Sequence, residues 1–156
     1  MSECHAQQLK SGQRFFEKVL TIFEEGDSGY APAEGMFTVA QQVAHTAQTV
    51  VWFTDGTFSP SGFDMNFPEH EAEVRQVTSL AAARQQLADA FAQAMKIFGA
   101  KSDEEMAAMF PANDPIMPGV PRSTAINGIM DHTAHHRGSL AVYARLLRRV
   151  PPMPYA

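Results

Sequence analysis

The sequence predicts an all-α protein, a four-helix bundle that forms one domain over residues 1–156. Four long segments place apolar residues at the three- and four-residue spacing of a helix, and breaks rich in glycine or proline separate them. No segment of useful length alternates apolar and polar residues as a strand does. Two of the connections are long, so the helices have room for a crossover instead of a plain up-and-down order.

The first two helices end at breaks that contain glycine. The first is predicted over about residues 2–25 and ends at the sequence Gly-Asp-Ser-Gly of residues 26–29. The second is predicted over about residues 37–53 and ends at the Asp-Gly pair of residues 55–56. A long irregular stretch follows, of the kind that a compact domain usually keeps to cover or line something.

Two more helices are predicted in the second half of the chain. The third covers about residues 79–98, and a capping box formed by Ser102 and Glu105 opens a short helical turn after it. The next segment contains four prolines that exclude regular structure: Pro111, Pro115, Pro118 and Pro121. The last helix begins near residues 123–124 and stops at the Val-Pro-Pro sequence of residues 150–152.

Charge and cysteine content argue against several classes of function. The 12 basic and 17 acidic residues give a net charge of -5, which repels nucleic acid unless basic residues are segregated. The basic cluster Arg145, Arg148 and Arg149 is better explained as cations at the end of a helix. Cys4 is the single cysteine, and residues 1–10 lack the apolar segment of a signal peptide. We therefore expect a cytoplasmic protein with no nucleic-acid partner.

Charged residues make up only 19% of the chain, and residues 35–54 contain none. One face of this second helix is apolar: Met36, Ala40, Val43, Ala47 and Val50. The other face is polar or aromatic but uncharged: Thr38, Gln41, Gln42, His45, Gln48, Thr49 and Trp52. The polar face excludes a membrane span, and we expect no membrane partner. We interpret it as facing an internal site or a partner, although His45 alone is more typical of a hydrogen-bonded or surface imidazole.

The last helix carries the sequence Asp-His-Thr-Ala-His-His-Arg-Gly at residues 131–138. His132 and His136 lie on one face, about 6 Å apart along the axis. The same stripe continues into apolar residues: Ile129, Leu140, Tyr143 and Leu147. One divalent ion would satisfy both buried imidazoles and keep them neutral. The pair therefore predicts a metal site, for which His45 is the natural third ligand because such sites take three or four protein groups.

These motifs resemble the DinB/YfiT-like family of metal-dependent four-helix-bundle proteins. The resemblance rests on the lone histidine in Val-Ala-His-Thr-Ala and on the motif at residues 131–138, and the tail at residues 150–155 is similar to the ending of many members. It implies a bundle of up-down-down-up order and a homodimer. It also implies that His45, His132 and His136 hold a divalent metal.

One residue departs from the family pattern. Ser139 follows Arg-Gly where the family often has glutamine. Serine is shorter, so a contact that the glutamine makes in other members is not expected in this chain. A homodimer is also expected from the chain itself, because the apolar ending at residues 150–155 needs a surface to lie on.

Three histidine ligands leave at least one coordination position open, which is typical of a catalytic site. Imidazole suits zinc, nickel, iron or copper, of which we expect zinc first and nickel second. Relatives in the family transfer low-molecular-weight thiols to electrophiles or isomerise substrates with a thiol. We therefore predict a metal-dependent transferase or hydrolase that activates a thiol or water on a small-molecule substrate.

Two alternatives stay open at the level of sequence. The first is a non-catalytic metal-binding stress-response protein whose ion mainly stabilises the bundle, and the absence of an evident general acid or base near the histidine motifs favours it. The second is a bundle with buried histidines and no metal.

Four further residues are predicted at the edge of the site. Trp52 and Tyr143 each lie seven residues after a proposed ligand, so we expect them to form the walls of a cleft over the metal. His135 points about 100° away from its neighbour His136, toward solvent or a supporting contact, and Asp131 would orient it. The proline-rich connection or the stretch from residue 58 to residue 67 would form the lid.

Overall fold

The computed structural model describes residues 2–155, with side chains from Cys4 onward, and is helical. Its α-helices are α1 (Ser2–Leu20), α2 (Val39–Phe58), α3 (Phe67–Arg75), α4 (Leu80–Gly99), α5 (Asp103–Ala107) and α6 (Thr124–Leu146). Within the described part of the chain, β pairing is limited to one isolated bridge between Met109 and Pro121. The all-α bundle predicted from the sequence is confirmed.

The four long helices pack as a bundle in which α1 and α2 occupy opposite corners. Each of them packs against both α4 and α6. Contacts near the helix ends give the directions: Arg84 with Leu20, Phe58 with Phe98, and Gln42 with Tyr143. Helix α4 thus runs antiparallel to α1 and parallel to α2, while α6 runs antiparallel to α2.

Two predicted helix ends were wrong. Helix α1 ends at Leu20, and a separate 3-10 turn follows at Glu25–Asp27. Helix α2 continues through the Asp-Gly pair that was predicted to end it, as far as Phe58. Gly56 is needed for packing, because a Cβ atom at this position would lie 2.2 Å from the ring of Phe63. In the sequence, a glycine that makes room for a neighbouring aromatic ring cannot be distinguished from a glycine that ends a helix.

Helix α3 lies in the stretch predicted to be irregular. It begins at Phe67 with Pro68 in its first turn, where proline is favoured, and its single buried residue is Val74. A helix that buries one side chain leaves no apolar stripe in the sequence. The helix packs against α2, the helix that carries His45.

The later boundaries are close to those predicted. Ser79 caps α4, and Ser102 with Glu105 forms the predicted capping box of α5. Helix α6 begins at Thr124 but ends at Leu146, before the Val-Pro-Pro sequence. In the basic cluster after it, Arg149 makes a bidentate ion pair with Asp27, which supports a structural role for this arginine.

The core lies between the four long helices. In the predicted apolar stripe of α2, the members inside the helix are buried, whereas Met36 precedes the helix and is 42% exposed. None of the described helices is both long enough and apolar enough to cross a lipid bilayer. The apolar tail folds back on its own chain, since Tyr155 packs edge-on against Phe15 with ring centroids 4.9 Å apart. The homodimer stays a prediction.

Two glycines of α6 provide a matched test of this packing. A Cβ atom on Gly128 would lie 2.7 Å from two atoms of the Phe53 ring, whereas one on Gly138 would meet nothing within 4 Å. We expect Gly128→Ala to destabilise the bundle by about 1–3 kcal/mol through overpacking. Gly138→Ala should instead stabilise it by about 0.5–1 kcal/mol, because alanine is the better helix former. Urea unfolding of both variants checks this, and a shift in the same direction for both would contradict the packing.

Candidate metal centre

Three histidine side chains from two antiparallel helices meet at one point. His45 lies on α2, and His132 and His136 lie one turn apart on α6. The ring centroids are 5.0 Å apart for His45 and His132, 4.8 Å for His45 and His136, and 4.5 Å for the pair on α6. One nitrogen of each ring lies within 4.8 Å of one nitrogen of each other ring. The folded chain therefore brings the three predicted ligands together.

Burial keeps these imidazoles neutral. It is the largest cause that lowers the pKa of His132 to about 4 and that of His136 to about 3. Neighbouring imidazoles add to the effect, because two positive charges at this separation repel each other. Burial also lowers the pKa of His45, against the opposing influence of Gln48 and Glu71. Since neutral imidazole is the form that binds a metal, the three side chains are ready to act as ligands at neutral pH.

Unpaired nitrogens in the cluster fit a metal ion. Among the described residues, Nδ1 of His45 and Nε2 of His132 are buried and have no hydrogen-bond partner. Buried polar atoms are normally paired, and a shared ion would satisfy both. A tetrahedral ion with bonds of about 2.1 Å holds its ligands about 3.4 Å apart, so the nitrogens would draw closer on binding. Three neutral imidazoles are a donor set that fits zinc and related divalent ions.

Gln42, for which the sequence predicted only a place on the polar face of its helix, orients His136. Its Oε1 accepts a hydrogen bond from Nδ1 of His136 at 2.5 Å, and its Nε2 donates to the Tyr143 hydroxyl at 3.1 Å. That hydroxyl donates to the backbone carbonyl of Phe37 at 2.8 Å. Because the Phe37 carbonyl can only accept, the direction of all three hydrogen bonds is fixed, and Nδ1 of His136 must be the donor to Gln42. The lone pair on Nε2 of His136 is therefore free for a metal.

A cavity of about 520 Å³ opens beside the cluster, and we call it the inner cavity. His45 and His132 form part of its wall, and most of the rest is aromatic or aliphatic. Its lining is Phe37, His45, Gln48, Thr49, Trp52, Phe53, Phe67, His70, Glu71, Ile116 and His132. The two segments predicted to form a lid both contribute, Phe67 at the end of one and Ile116 from the proline-rich connection.

The two aromatic residues predicted as cleft walls lie in different places. Trp52 lines the inner cavity, and its Nε1 donates to the carbonyl of Asp64 at 2.6 Å. Tyr143 is 1% exposed and is absent from the residues that line this cavity. Tyr143 continues the apolar seam of α6 into the core, and its hydroxyl touches the site through the Gln42 amide and the Phe37 carbonyl. It supports His136 through Gln42 and does not form a wall of the cavity.

The other two predicted neighbours lie at the outer surface of α6. His135 is exposed, and its ring is 4.8 Å from that of His136. No hydrogen bond joins it to Asp131 among the described residues, and Asp131 acts instead through its charge, which favours protonation of His132. The Ser139 hydroxyl donates to the carbonyl of His135 at 3.2 Å, a contact within the helix.

Helix α3 supplies two polar groups that sequence reasoning missed. Glu71 and His70 line the inner cavity with two of the histidines. They were missed because no pattern in this segment indicates that it packs against α2. Their presence removes the observation that favoured a non-catalytic protein, since a carboxylate and an imidazole do lie near the cluster.

Arg75 connects helix α3 to the histidine cluster. Its guanidinium donates to the Glu71 carboxylate at 3.0 Å and to the carbonyl of Gly35 at 2.8 Å. It also lies over the ring of Phe37, 4.6 Å from the centroid, and that ring lies 5.2 Å from the His45 ring. One side chain therefore joins α3, the segment before α2 and a proposed metal ligand.

The lowered pKa values predict how the metal-free protein responds to acid. The unfolded chain takes up protons on His132 and His136 near their ordinary pKa of 6.5, whereas the folded chain does so only near 4 and 3. Stability should therefore be full above pH 6.5 and fall as the pH drops toward 5, a window above the ordinary carboxyl range. Urea midpoints at pH 7, 6 and 5 in the presence of a chelator measure this. An equal decline in a His132→Gln, His136→Gln variant would contradict it.

Comparison with known proteins places the chain in a family. A family model described as the DinB superfamily matches residues 8–140. A search of curated proteins found no match to the sequence. The fold is similar to that of a DinB-like protein from Bacillus cereus, with a TM-score of 0.70 and 20% identity, covering 97% of this chain and 95% of that one.

The fold is also similar to that of a mycothiol-dependent maleylpyruvate isomerase. The TM-score is 0.70 at 15% identity, with 90% of this chain and 60% of the isomerase chain covered. A point mutant of such an isomerase gives a TM-score of 0.74 at 14% identity and the same coverage. The chain thus spans 60% of the length of these isomerase chains. At these identities the likeness shows the fold.

Proposed function

This chain belongs to the DinB superfamily, and on that premise we propose that it is a metal-dependent enzyme that transfers a low-molecular-weight thiol to an electrophile. The same site could instead act as a hydrolase, with a water in place of the thiol as the activated nucleophile. Zinc is the ion that we expect first, with nickel or iron as alternatives. The structural similarity to a thiol-dependent isomerase supports a thiol as co-substrate.

The observation that carries the proposal is that the three-histidine cluster lies beside a cavity, with His45 and His132 in the cavity wall. A structural metal site is usually closed by four protein ligands and needs no cavity. Here three imidazoles meet beside a space of about 520 Å³, large enough for a small organic molecule. A divalent ion held by three neutral imidazoles supplies a Lewis acid with an open position, which lowers the pKa of a thiol or water that it binds.

The protein groups around the cavity have distinct roles in this proposal. His45, His132 and His136 hold the ion, and Gln42 keeps His136 in the tautomer that leaves Nε2 free. Glu71 is placed to accept the proton of a thiol, while Arg75 holds its carboxylate. Phe37, Trp52, Phe53 and Phe67 supply the apolar part of the wall against which an organic substrate packs.

A thiol screen tests the proposal. The zinc-loaded protein is incubated with a set of electrophiles and with several low-molecular-weight thiols, and loss of free thiol is followed. We expect turnover with at least one pair and none after chelation. Loss of thiol at the same rate with a His132→Ala, His136→Ala variant would show that the reaction does not use this site.

The alternative function, a metal that mainly stabilises the bundle, is favoured by one observation: the ligands come from two helices, so an ion would cross-link α2 and α6. Metal removal discriminates between the two. Ligand linkage gives any bound ion some stabilising effect, so the decisive result is whether the metal-free chain still unfolds cooperatively at ordinary temperatures. We expect that it does, because the apolar core extends along all four long helices. Loss of the cooperative transition would favour the structural role.

Trp52 separates ligand binding from metal binding. Its indole packs with Phe53, Phe63 and Phe67, and among the described residues no ring contact joins it to the three histidines. Trp52→Ala should weaken binding of an organic ligand by about tenfold or more, since it removes a large apolar surface. Zinc affinity should stay within about twofold of the parent protein, because the ligand shell is intact. Calorimetric titration with each ligand measures both, and release of zinc by this variant would contradict the assignment.

We also propose that the chain forms a homodimer. Large apolar side chains near the end of α6 and beyond it are exposed: Val142, Leu146, Val150 and Met153. Such side chains are commonly covered in an assembly. Sedimentation at micromolar concentration tests this, and a monomer under those conditions would overturn it.

A further inference from the structure

One hydroxyl in the wall of the inner cavity differs from the others on its helix. Thr49 lies on α2 one turn after His45, is 9% exposed and lines this cavity. Three other threonines of α2 donate to the carbonyl four residues before them, as threonine in a helix often does: Thr46, Thr54 and Thr57. Among the described residues, no hydrogen bond involves the Thr49 hydroxyl. Because buried polar groups normally have a partner, this hydroxyl is available to a molecule in the cavity.

The neighbouring polar side chains of the wall are already paired. The Gln48 amide donates to the His70 carbonyl at 3.0 Å and to the Glu73 carboxylate at 3.2 Å. The Trp52 indole donates to a backbone carbonyl in the segment before α3 at 2.6 Å. These bonds join α2 to the segment that contains α3. The Thr49 hydroxyl is therefore the donor that a bound molecule can use without breaking a bond of the protein.

No uncompensated charge faces the inner cavity from the described residues. Its one carboxylate, Glu71, lies 3.0 Å from the Arg75 guanidinium. The His70 ring shares a hydrogen bond of 3.0 Å with Asp64. Burial lowers the pKa of the two cluster histidines in this wall and keeps them neutral. A charged ligand would lose its hydration here without gaining a partner, so the cavity favours an uncharged molecule.

We propose that the electrophile of this site is an uncharged molecule with an aromatic or aliphatic body and a carbonyl oxygen, to which the Thr49 hydroxyl donates a hydrogen bond. The inference rests on the proposed function, because it takes the inner cavity as the place where the electrophile binds. A hydrogen bond to a carbonyl oxygen strengthens as negative charge develops there. The body of the molecule packs on the apolar side chains of the wall: Phe37, Trp52, Phe53, Phe67 and Ile116.

The only tryptophan of the sequence allows the inference to be tested by binding alone. Trp52 lines the inner cavity, so its fluorescence reports a ligand there. The probes share a phenyl ring on a short aliphatic chain. Benzylacetone ends in a ketone, isopentylbenzene in a hydrocarbon group of the same shape, 3-phenylpropionate in a carboxylate and 3-phenylpropylamine in an amine. The full-length protein is titrated without metal, so that no probe can bind an ion.

We expect benzylacetone to bind at least about tenfold tighter than either charged probe. Thr49→Val removes the hydroxyl and keeps the branched shape, so it should weaken benzylacetone binding about three- to tenfold and leave isopentylbenzene binding within about twofold. Thr49→Ser keeps the hydroxyl and should bind benzylacetone more tightly than Thr49→Val does. The control is Thr54→Val, the same change on the same helix at a residue outside the cavity lining, and it should bind every probe as the parent protein does.

Unchanged benzylacetone binding in Thr49→Val would overturn the inference, and so would an equal loss in Thr54→Val. A charged probe that binds as tightly as the ketone, or a Trp52 signal that responds to none of the probes, would overturn it as well. Failure of Thr49→Val to fold would have the same meaning, because it would show that the hydroxyl serves the protein and not a ligand.

These outcomes are separate from failure of the proposed function. That failure would appear as absence of turnover in the thiol screen, whichever probe binds. A ketone contact that depends on the Thr49 hydroxyl, without turnover, would leave the ligand contact standing and remove the thiol chemistry.

Discussion

Replacing His132 with alanine should weaken zinc binding by more than about 100-fold, a larger loss than follows when a residue that only supports a metal ligand is changed. Two histidines remain, His45 and His136, and two ligands are too few for a tight zinc site. The loss should come with little destabilisation of the metal-free protein, since the His132 imidazole has a buried nitrogen without a partner there. Competition with a chromophoric chelator measures the affinity.

The control for this variant is His135→Ala. His135 is the neighbouring histidine on the same helix, but it is exposed and lies outside the cluster. We expect it to retain zinc affinity within about threefold, because its contribution is that of an outer neighbour with no hydrogen bond to a ligand. Equal losses of zinc affinity in the two variants would mean that the histidines bind zinc as a loose surface group. Unchanged affinity in His132→Ala would contradict the proposed metal site.

Replacing Gln42 with leucine should weaken zinc binding by about 10–100-fold, although Gln42 contacts no ion. The change removes the acceptor that holds Nδ1 of His136, so the ring loses its fixed tautomer and orientation. It also leaves the buried His136 N–H without a partner, at a cost to folding of about 1–3 kcal/mol, whereas the Tyr143 hydroxyl keeps its bond to the Phe37 carbonyl. Chelator competition and urea unfolding measure the two effects separately.

Tyr143→Phe distinguishes positioning from general stability. This variant removes the hydroxyl that Gln42 and Phe37 share but leaves the bond between Gln42 and His136 in place. We expect a stability loss of about 1–2 kcal/mol with zinc affinity reduced by less than about fivefold. If Tyr143→Phe and Gln42→Leu weakened zinc binding to the same extent, the effect would be one of core stability and not of ligand orientation.

The site residues that could be predicted are those that the spacing of neighbouring residues in the sequence identifies. His132 and His136 are one turn apart within an apolar seam, and His45 lies on a helix without charges, so each carries a signal in its own neighbourhood. Gln42 carries none, because its role depends on a residue 94 positions away. The register between α2 and α6 sets that contact, and no pattern within either helix reports it.

The same distinction explains the errors in the fold. The long helices bury a stripe along their length, which the sequence repeats at helical spacing. Helix α3 buries only Val74, so its position follows from contacts with α2 and not from its own pattern. Gly56 was predicted as a stop because the sequence does not show the Phe63 ring that requires it. Glu71 went unassigned for the same reason as the helix that carries it.

The contacts of Arg75 have a thermodynamic consequence. The guanidinium holds Glu71 at the cavity and stacks on Phe37, which in turn packs on His45. If α3 moves when a ligand fills the cavity, the ring beside a metal ligand moves with it. Linkage then requires that the ion change affinity for the organic ligand by the same factor by which that ligand changes affinity for the ion. The ion and the organic ligand would then each alter the binding of the other, with Arg75 as the side chain that couples the two sites.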